Sequence, residues 1–519
     1  RRGDGLPQGQ RGGPLTPSKA VEVGQRAIGV ADVVAVARAG AAVRIAPAVA
    51  ARLTRARRIV ERFAAGDRAV YGLNTGLGAA VDTPLTQEEV AAFQRQAVMA
   101  RAVGVGEFLA TDEVRATLFV RLAGIAHGAS GLSPAFAIVI RDMLGKGLHP
   151  RVRRIGTLGE ADLSPLAQLF LPLVGQGEAE LGGRVMPGHE ALSKAGIELP
   201  ILGPKDAIAL LNANAYSVGT GALALHDAGL ALQAQTAAGA LSLEAAGANL
   251  SPTDPRVVAL RPAPGQVAAS RLIRSLIKGS DLLNAKHPRR VQDPLSFRCL
   301  APVNGAAFDQ LDRATAAVLA DLNGAGDSPA VLVDDEELMS TVNFDTTAMA
   351  LAFEGLGLAL SHTAVIATFR IAKLMSPGFS GLPRFLTPKA AGARTGFATV
   401  QKTASALEAE IRHLALPLGA MTAPVADGVE DYAPMTPRVI EKTHDIARRL
   451  ARLAAIELVV AAQAIDLRDG LKLGRGTGRA FAFVRGHVAR LEEDRPTGPD
   501  FERLAVAILA GDLGAALPA

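Results

Sequence analysis

Residues Asp206 to Gly247 read DAIALLNANAYSVGTGALALHDAGLALQAQTAAGALSLEAAG. Alanine and leucine dominate the stretch, no proline interrupts it and a glycine closes it, which predicts helix along its whole length. Similar runs with few prolines recur from about Pro204 onward, strand signals are few and short, and no segment repeats at a fixed period. A mainly α fold follows, and a solenoid does not. Upstream, Thr86-Gln87-Glu88-Glu89 is a capping box that opens a helix to about Val103, where Gly104 can end it. Ser133-Pro134 supplies an N-cap and an N1 proline for a further helix, with Gly145 as its stop.

The 519 residues, 49% of them hydrophobic, are enough to bury a large core. A single cysteine, Cys299, permits no disulfide within the chain and points to a reducing, cytoplasmic setting. The net charge of +5 comes from 55 basic and 50 acidic residues that are well mixed. The cluster Arg55 to Arg58 lacks aromatic interleaving, so it reads as a solvated helix face, and no nucleic-acid partner is expected. Residues 1–17, basic and rich in Gly and Pro with no apolar run behind them, read as a disordered tail. The run TTAMALAFEGLGLALSHTAVIATF, Thr346 to Phe369, has the length of a membrane span, but Glu354 and His362 interrupt it. It reads as a helix buried in a bundle or between subunits, and no membrane partner is expected.

Function is written in the polar segments between the helices. In order they are YGLNTGLG (Tyr71 to Gly78), LLNANAYSVGTG (Leu210 to Gly221), RPAPGQVAAS (Arg261 to Ser270), VQDPLSFRC (Val291 to Cys299), DLNGAGDSP (Asp321 to Pro329), NFD (Asn343 to Asp345), FSGLPRFL (Phe379 to Leu386) and VEDYAPMT (Val429 to Thr436). The first is no phosphate loop, because no Lys-Ser/Thr follows it. The three tyrosines of the chain, Tyr71, Tyr216 and Tyr432, all fall within these segments.

This ordered series resembles the aromatic amino acid ammonia-lyase family, which includes histidine, phenylalanine and tyrosine ammonia-lyases and related aminomutases. The resemblance covers residues 20 to 470. It implies an N-terminal domain bearing a cofactor loop (18–203), then a long central helix bundle with C-terminal helices (204–519). It also implies a homotetramer whose active sites draw on more than one subunit, and an amino acid or related carboxylate as the small-molecule substrate. Members build a methylidene-imidazolone electrophile by cyclising and dehydrating an Ala-Ser-Gly tripeptide, and with it remove ammonia from an α-amino acid whose β-proton is hardly acidic. The serine hydroxyl must leave and the glycine nitrogen must attack, so both residue types are obligatory.

Here Gly156-Thr157-Leu158-Gly159 matches the left flank of that tripeptide and Asp162-Leu163-Ser164-Pro165-Leu166 the right, with only Glu160-Ala161 between. The cofactor-loop residues are therefore Gly159, Glu160, Ala161 and Asp162, and no prosthetic group is expected to form. Ser164 cannot substitute, since Pro165 has no N–H to act as nucleophile. A literal Ala129-Ser130-Gly131 lies well upstream and reads as a helix C-terminus followed by a turn.

By the same resemblance Tyr71 is the base, Glu430 the acid near the amino group, Arg298 the carboxylate clamp, Asn212 and Gln292 polar groups around the substrate, and Phe344 an aromatic wall. Arg101 falls where histidine enzymes have His, and its guanidinium suits an anionic distal group. Glu160 is a new ionisable group in the loop, expected to pair with Arg101 and counted with the catalytic residues. No metal site is expected. Leu295, Val429 and Tyr432 depart from the family pattern at the site. The leading expectation is a carbon–nitrogen lyase working without the prosthetic group. The alternatives are a binding scaffold that has lost its chemistry and an orthodox ammonia-lyase.

Overall fold

The computed structural model describes residues 20–66, 70, 72, 73, 75, 87–284, 288–388, 394–468 and 470–517. Tyr71, Thr86 and the tail 1–17 lie outside them. Helices dominate, and the strands are three or four residues long. α1 (Gln87–Arg101) ends two residues earlier than expected, because the chain turns into β1 (Val105–Phe108). That strand pairs antiparallel with β2 (Arg153–Ile155), Val105 opposite Ile155. The helix Pro134–Lys146 does begin at Ser133-Pro134, but it runs through Gly145, which tolerates helical geometry, and stops at Gly147 with φ +69°. Ser133 gives its hydroxyl to Asp206 Oδ2 at 2.6 Å instead of capping its own helix.

The long helix expected from Asp206 is two helices. α2 (Leu163–Phe170) follows the cofactor-loop frame, and α3 (Asp206–Leu211) and α4 (Ala215–Ala246) are separated by Asn212-Ala213-Asn214. Both asparagines turn their side chains on neighbouring backbone, Asn212 Nδ2 to Ser328 O at 2.5 Å and Asn214 Nδ2 to Phe344 O at 2.6 Å. Such bonds compete with the helical ladder and break it. Beyond the break α4 continues for 32 residues, about 48 Å, and Gly247 closes it in the left-handed region.

Around α4 pack α5 (Leu300–Leu322), α6 (Thr347–Leu374) and α7 (Thr436–Asp466), with α7 lying along α4. The α3–α4 segment and α6 are both long and apolar enough to cross a membrane, yet the first is fully buried in the protein and the second half buried. The outer side of α6 leaves Leu351, Leu358 and Phe369 exposed. Deep in the bundle Arg370 of α6 holds Glu457 of α7 through two bonds of 2.6 and 2.9 Å, with neither side chain exposed. Ser242 Oγ of α4 adds a third at 2.8 Å. One hydrophobic cluster takes in residues from Val21 to Leu517, on both sides of the boundary expected at 203.

Candidate active site

The loop Gly156 to Asp162 sits where the first turns of α4, α6 and α7 converge. Asp162, fully buried, accepts from Ser217 N at 2.8 Å, Ser217 Oγ at 3.0 Å and Thr157 Oγ1 at 3.1 Å, so it caps α4 from outside the helix. Burial outweighs these bonds and pushes its carboxyl up to about 6. Thr346, at the start of α6, donates its hydroxyl to Gly159 O at 2.7 Å and shares a 2.8 Å bond with the Thr436 hydroxyl at the start of α7. Gly159 has φ +99°, and a side chain there would meet the Thr436 backbone nitrogen at 3.0 Å. Only glycine suits that position. Ala161, with φ +58°, also sits in the left-handed region, at a cost of about 1 kcal/mol for a residue with a Cβ.

Beside the loop lies a cavity of about 600 Å³. Glu160, Ala161, Asn212, Arg101, Phe344 and Glu430 all line it, so the fold brings together six of the residues singled out in the sequence. Asp345, Asp431, Val429 and Tyr432 line it as well. Glu160 and Arg101 share the cavity without forming the expected pair. Burial and the neighbouring carboxylates of Asp345 and Glu430 push Glu160 up to about 8. Arg101 instead directs Nη1 to Ala97 O of its own helix at 3.2 Å. Asp345 is held by Thr347 N at 3.2 Å and Thr347 Oγ1 at 2.9 Å, and the Tyr432 hydroxyl meets that same Oγ1 at 2.7 Å.

Two expected residues are elsewhere. Arg298 gives Nε to Asp293 O at 2.8 Å, and Gln292 is exposed. Their segment is anchored by Arg370 Nη1 on Ser296 O at 3.0 Å, near the far end of α6, about 35 Å from the cavity end of that helix at its ordinary rise. Within one chain, the proposed carboxylate clamp and the loop are therefore separate. Leu295, Val429 and Tyr432, the departures from the family pattern, are all exposed. Tyr216 is buried away from the cavity lining, and burial drives its phenol upward. Asp345 was legible in the sequence only as the last residue of NFD; its position just ahead of the Thr346 cap is the signal that would have found it.

The upstream Ala129-Ser130-Gly131 is structural. Ala129 O accepts from Val331 N at 2.8 Å, Gly131 N donates to Gly128 O at 3.1 Å, and Ser130 is fully buried. The nitrogen and carbonyl that a cyclisation would join are each committed elsewhere.

The aromatic amino acid lyase family model matches residues 28–486. The chain belongs to that family. It is 38% identical over 502 residues to the histidine ammonia-lyase of Symbiobacterium thermophilum, covering 96% of this chain and 99% of that one. Among solved structures it is similar to the ergothioneine-degrading ergothionase of Treponema denticola in complex with desmethyl-ergothioneine sulfonic acid (31% identity, TM-score 0.90, 96% and 99% covered). It is also similar to the tyrosine aminomutase of Streptomyces globisporus (28%, TM-score 0.90, 96% and 98%). This aromatic amino acid lyase is accordingly an ammonia-lyase-like enzyme with the family's helical fold, and the scaffold-only alternative finds no support among these relatives. Between Gly159 and Asp162 of this chain stand Glu160 and Ala161.

Proposed function

We propose that the enzyme eliminates a nitrogen leaving group from a carboxylate-bearing amino acid derivative without the family's prosthetic group. The observation that carries this is Glu160-Ala161 between Gly159 and Asp162, in a frame otherwise intact and folded against three helix starts. Without that electrophile, the leaving group or the β-proton must already be activated in the substrate. The likeness to an ergothioneine-degrading enzyme fits a substrate whose nitrogen is already quaternary, because a quaternary ammonium departs as a neutral amine with no covalent help. In this reading Tyr71 takes the proton, Arg101 and Asn212 orient the substrate beside Phe344, and Glu160 and Glu430 face the nitrogen. A second copy brings Arg298 and Gln292, which the single chain keeps apart from the loop, and a cytoplasmic homotetramer is the working assembly.

An orthodox histidine ammonia-lyase is the second reading, favoured by the 38% identity to the Symbiobacterium enzyme. Intact mass and product release separate the two. The proposal expects a chain of unmodified mass that releases an unsaturated acid from a histidine-derived betaine and no urocanate from histidine. A mass lowered by two waters, together with urocanate at an enzymatic rate, would reject it.

A further inference from the structure

Asn214 is the N-cap of α4, and asparagine normally serves there by turning its side-chain oxygen onto the amides of the first turn. Here its side chain makes no such bond. Asp162 takes the Ser217 amide from outside the helix, while Asn214, 6% exposed, gives Nδ2 to Phe344 O at 2.6 Å and leaves Oδ1 buried without a partner. A buried acceptor left unpaired is costly, so the amide is oriented for its donor alone. The bond closes a circuit around the cavity. From Phe344 the chain runs to Thr346, whose hydroxyl reaches Gly159 O at 2.7 Å; the loop runs on to Asp162, whose N–H reaches Ala213 O at 2.8 Å; and Ala213 adjoins Asn214. Phe344 is thereby tied from both sides to the loop that carries Glu160 and Ala161. Behind this wall lies a second cavity, of about 260 Å³, whose lining includes Asn214, Asn343 and Gly326. The wall has room to fall back, and the Asn214 amide holds it forward.

We propose that Asn214 is a positioning residue that sets the gap between the Phe344 ring and the loop, and so determines how broad a side group the cavity accepts. This rests on the cavity being the substrate site, as the proposed function has it, and adds what fixes its width. Asn214 stands behind the cavity wall and acts on it through the Phe344 carbonyl. Asn212, on the other side of Ala213, holds Ser328 O in the same manner, and the Ser328 hydroxyl oxygen in turn accepts from Thr341 N at 3.1 Å. Ser328, Thr341 and Phe344 all line the cavity. The two asparagines thus hold two points of one wall. Without the Asn214 amide, the wall stays attached at Thr341 and yields at Phe344.

Two inert carboxylates test this on the full-length enzyme: 3-(imidazol-4-yl)propionate, with a single ring, and 3-(2-naphthyl)propionate, with two fused rings. Neither carries a leaving nitrogen on its chain, so neither is consumed. Calorimetry should show Asn214→Ala moving the ratio of the two dissociation constants about tenfold in favour of the broad ligand, the net worth of one hydrogen bond. Asn214→Asp, which keeps the shape and removes the donor, should move it the same way. In a Phe344→Ala background the ratio should no longer respond to Asn214→Ala, because no ring is left to place. A substitution that merely loosened the protein would weaken both ligands and leave their ratio alone. An unchanged ratio in both Asn214 variants, or the same shift with and without the Phe344 ring, would overturn the proposal while leaving the cavity as the substrate site. Binding of neither ligand by the parent would reject the cavity as a carboxylate site, and the proposed function would fall together with the role of Asn214.

Discussion

Two glutamates of this chain meet opposite surroundings. Glu457 lies in the middle of the bundle, fully enclosed, and is met by the fork of Arg370 and the hydroxyl of Ser242. Glu160 lies at the edge of a cavity among Asp345 and Glu430, and its Oε1 is buried without a partner. The fold neutralises the first with protein charge. It leaves the second to be neutralised by a proton or by something that enters. A carboxyl surrounded by its complement is structural, whereas one surrounded by its own kind is set up to change state.

Glu457→Ala breaks this comparison hardest. It strands the Arg370 guanidinium in the core, and loss of one partner of a buried pair costs about 3–5 kcal/mol. Urea unfolding should show that loss, and replacing Arg370 and Glu457 together by methionine should restore part of it. If the single variant were as stable as the parent, the bundle would not depend on this charge for its packing. Asp162→Ala comes next. It leaves Ser217 N and Oγ and Thr157 Oγ1 without their shared acceptor and removes the cap of α4, for about 2 kcal/mol. Turnover should fall more than that stability loss accounts for, because Asp162 also positions the loop. Turnover kept at the parental level would mean that the loop conformation is irrelevant to the chemistry.

These regions were unequally legible in the sequence. The bundle could be read from composition, because an alanine- and leucine-rich run without proline has few alternatives to helix. The break at Asn212-Ala213-Asn214 could not, since it depends on the carbonyls of Ser328 and Phe344, more than a hundred residues away. The cavity was half legible. Glu160, Asn212, Phe344 and Glu430 were found by motif and do meet. The neighbour of Glu160 was missed, because local charge suggested Arg101, while the fold delivers Asp345 from the start of α6. Arg298 and Gln292 were assigned by motif, and within one chain they lie apart from the cavity, toward the far end of α6.

Glu160→Gln gives the smallest effect and sharpens the comparison most. A carboxyl raised from 4.5 to about 8 means that the native chain holds a proton which the unfolded chain has already released between those values. Stability therefore falls as pH rises through that window. Asp162 and Asp321, both pushed up to about 6, act in the same direction but over the lower half of the window. The histidines lowered by burial, His127, His149 and His226, lose stability as pH falls below about 6.5. Lys205, brought down to about 8, acts above that value. Asp206, Glu244 and Asp293, also raised by burial, act in the same direction, so the difference between the parent and Glu160→Gln, read from about pH 6.5 to 8, isolates the part that belongs to Glu160. The parent's melting temperature should decline across that interval, and that of Glu160→Gln should decline less, with the two curves closest at the acidic end, where Glu160 is neutral like glutamine, and furthest apart at the alkaline end. Parallel curves would mean that Glu160 is already ionised at pH 6.5. It would then be a compensated carboxylate like Glu457, and the contrast between the two sites would disappear.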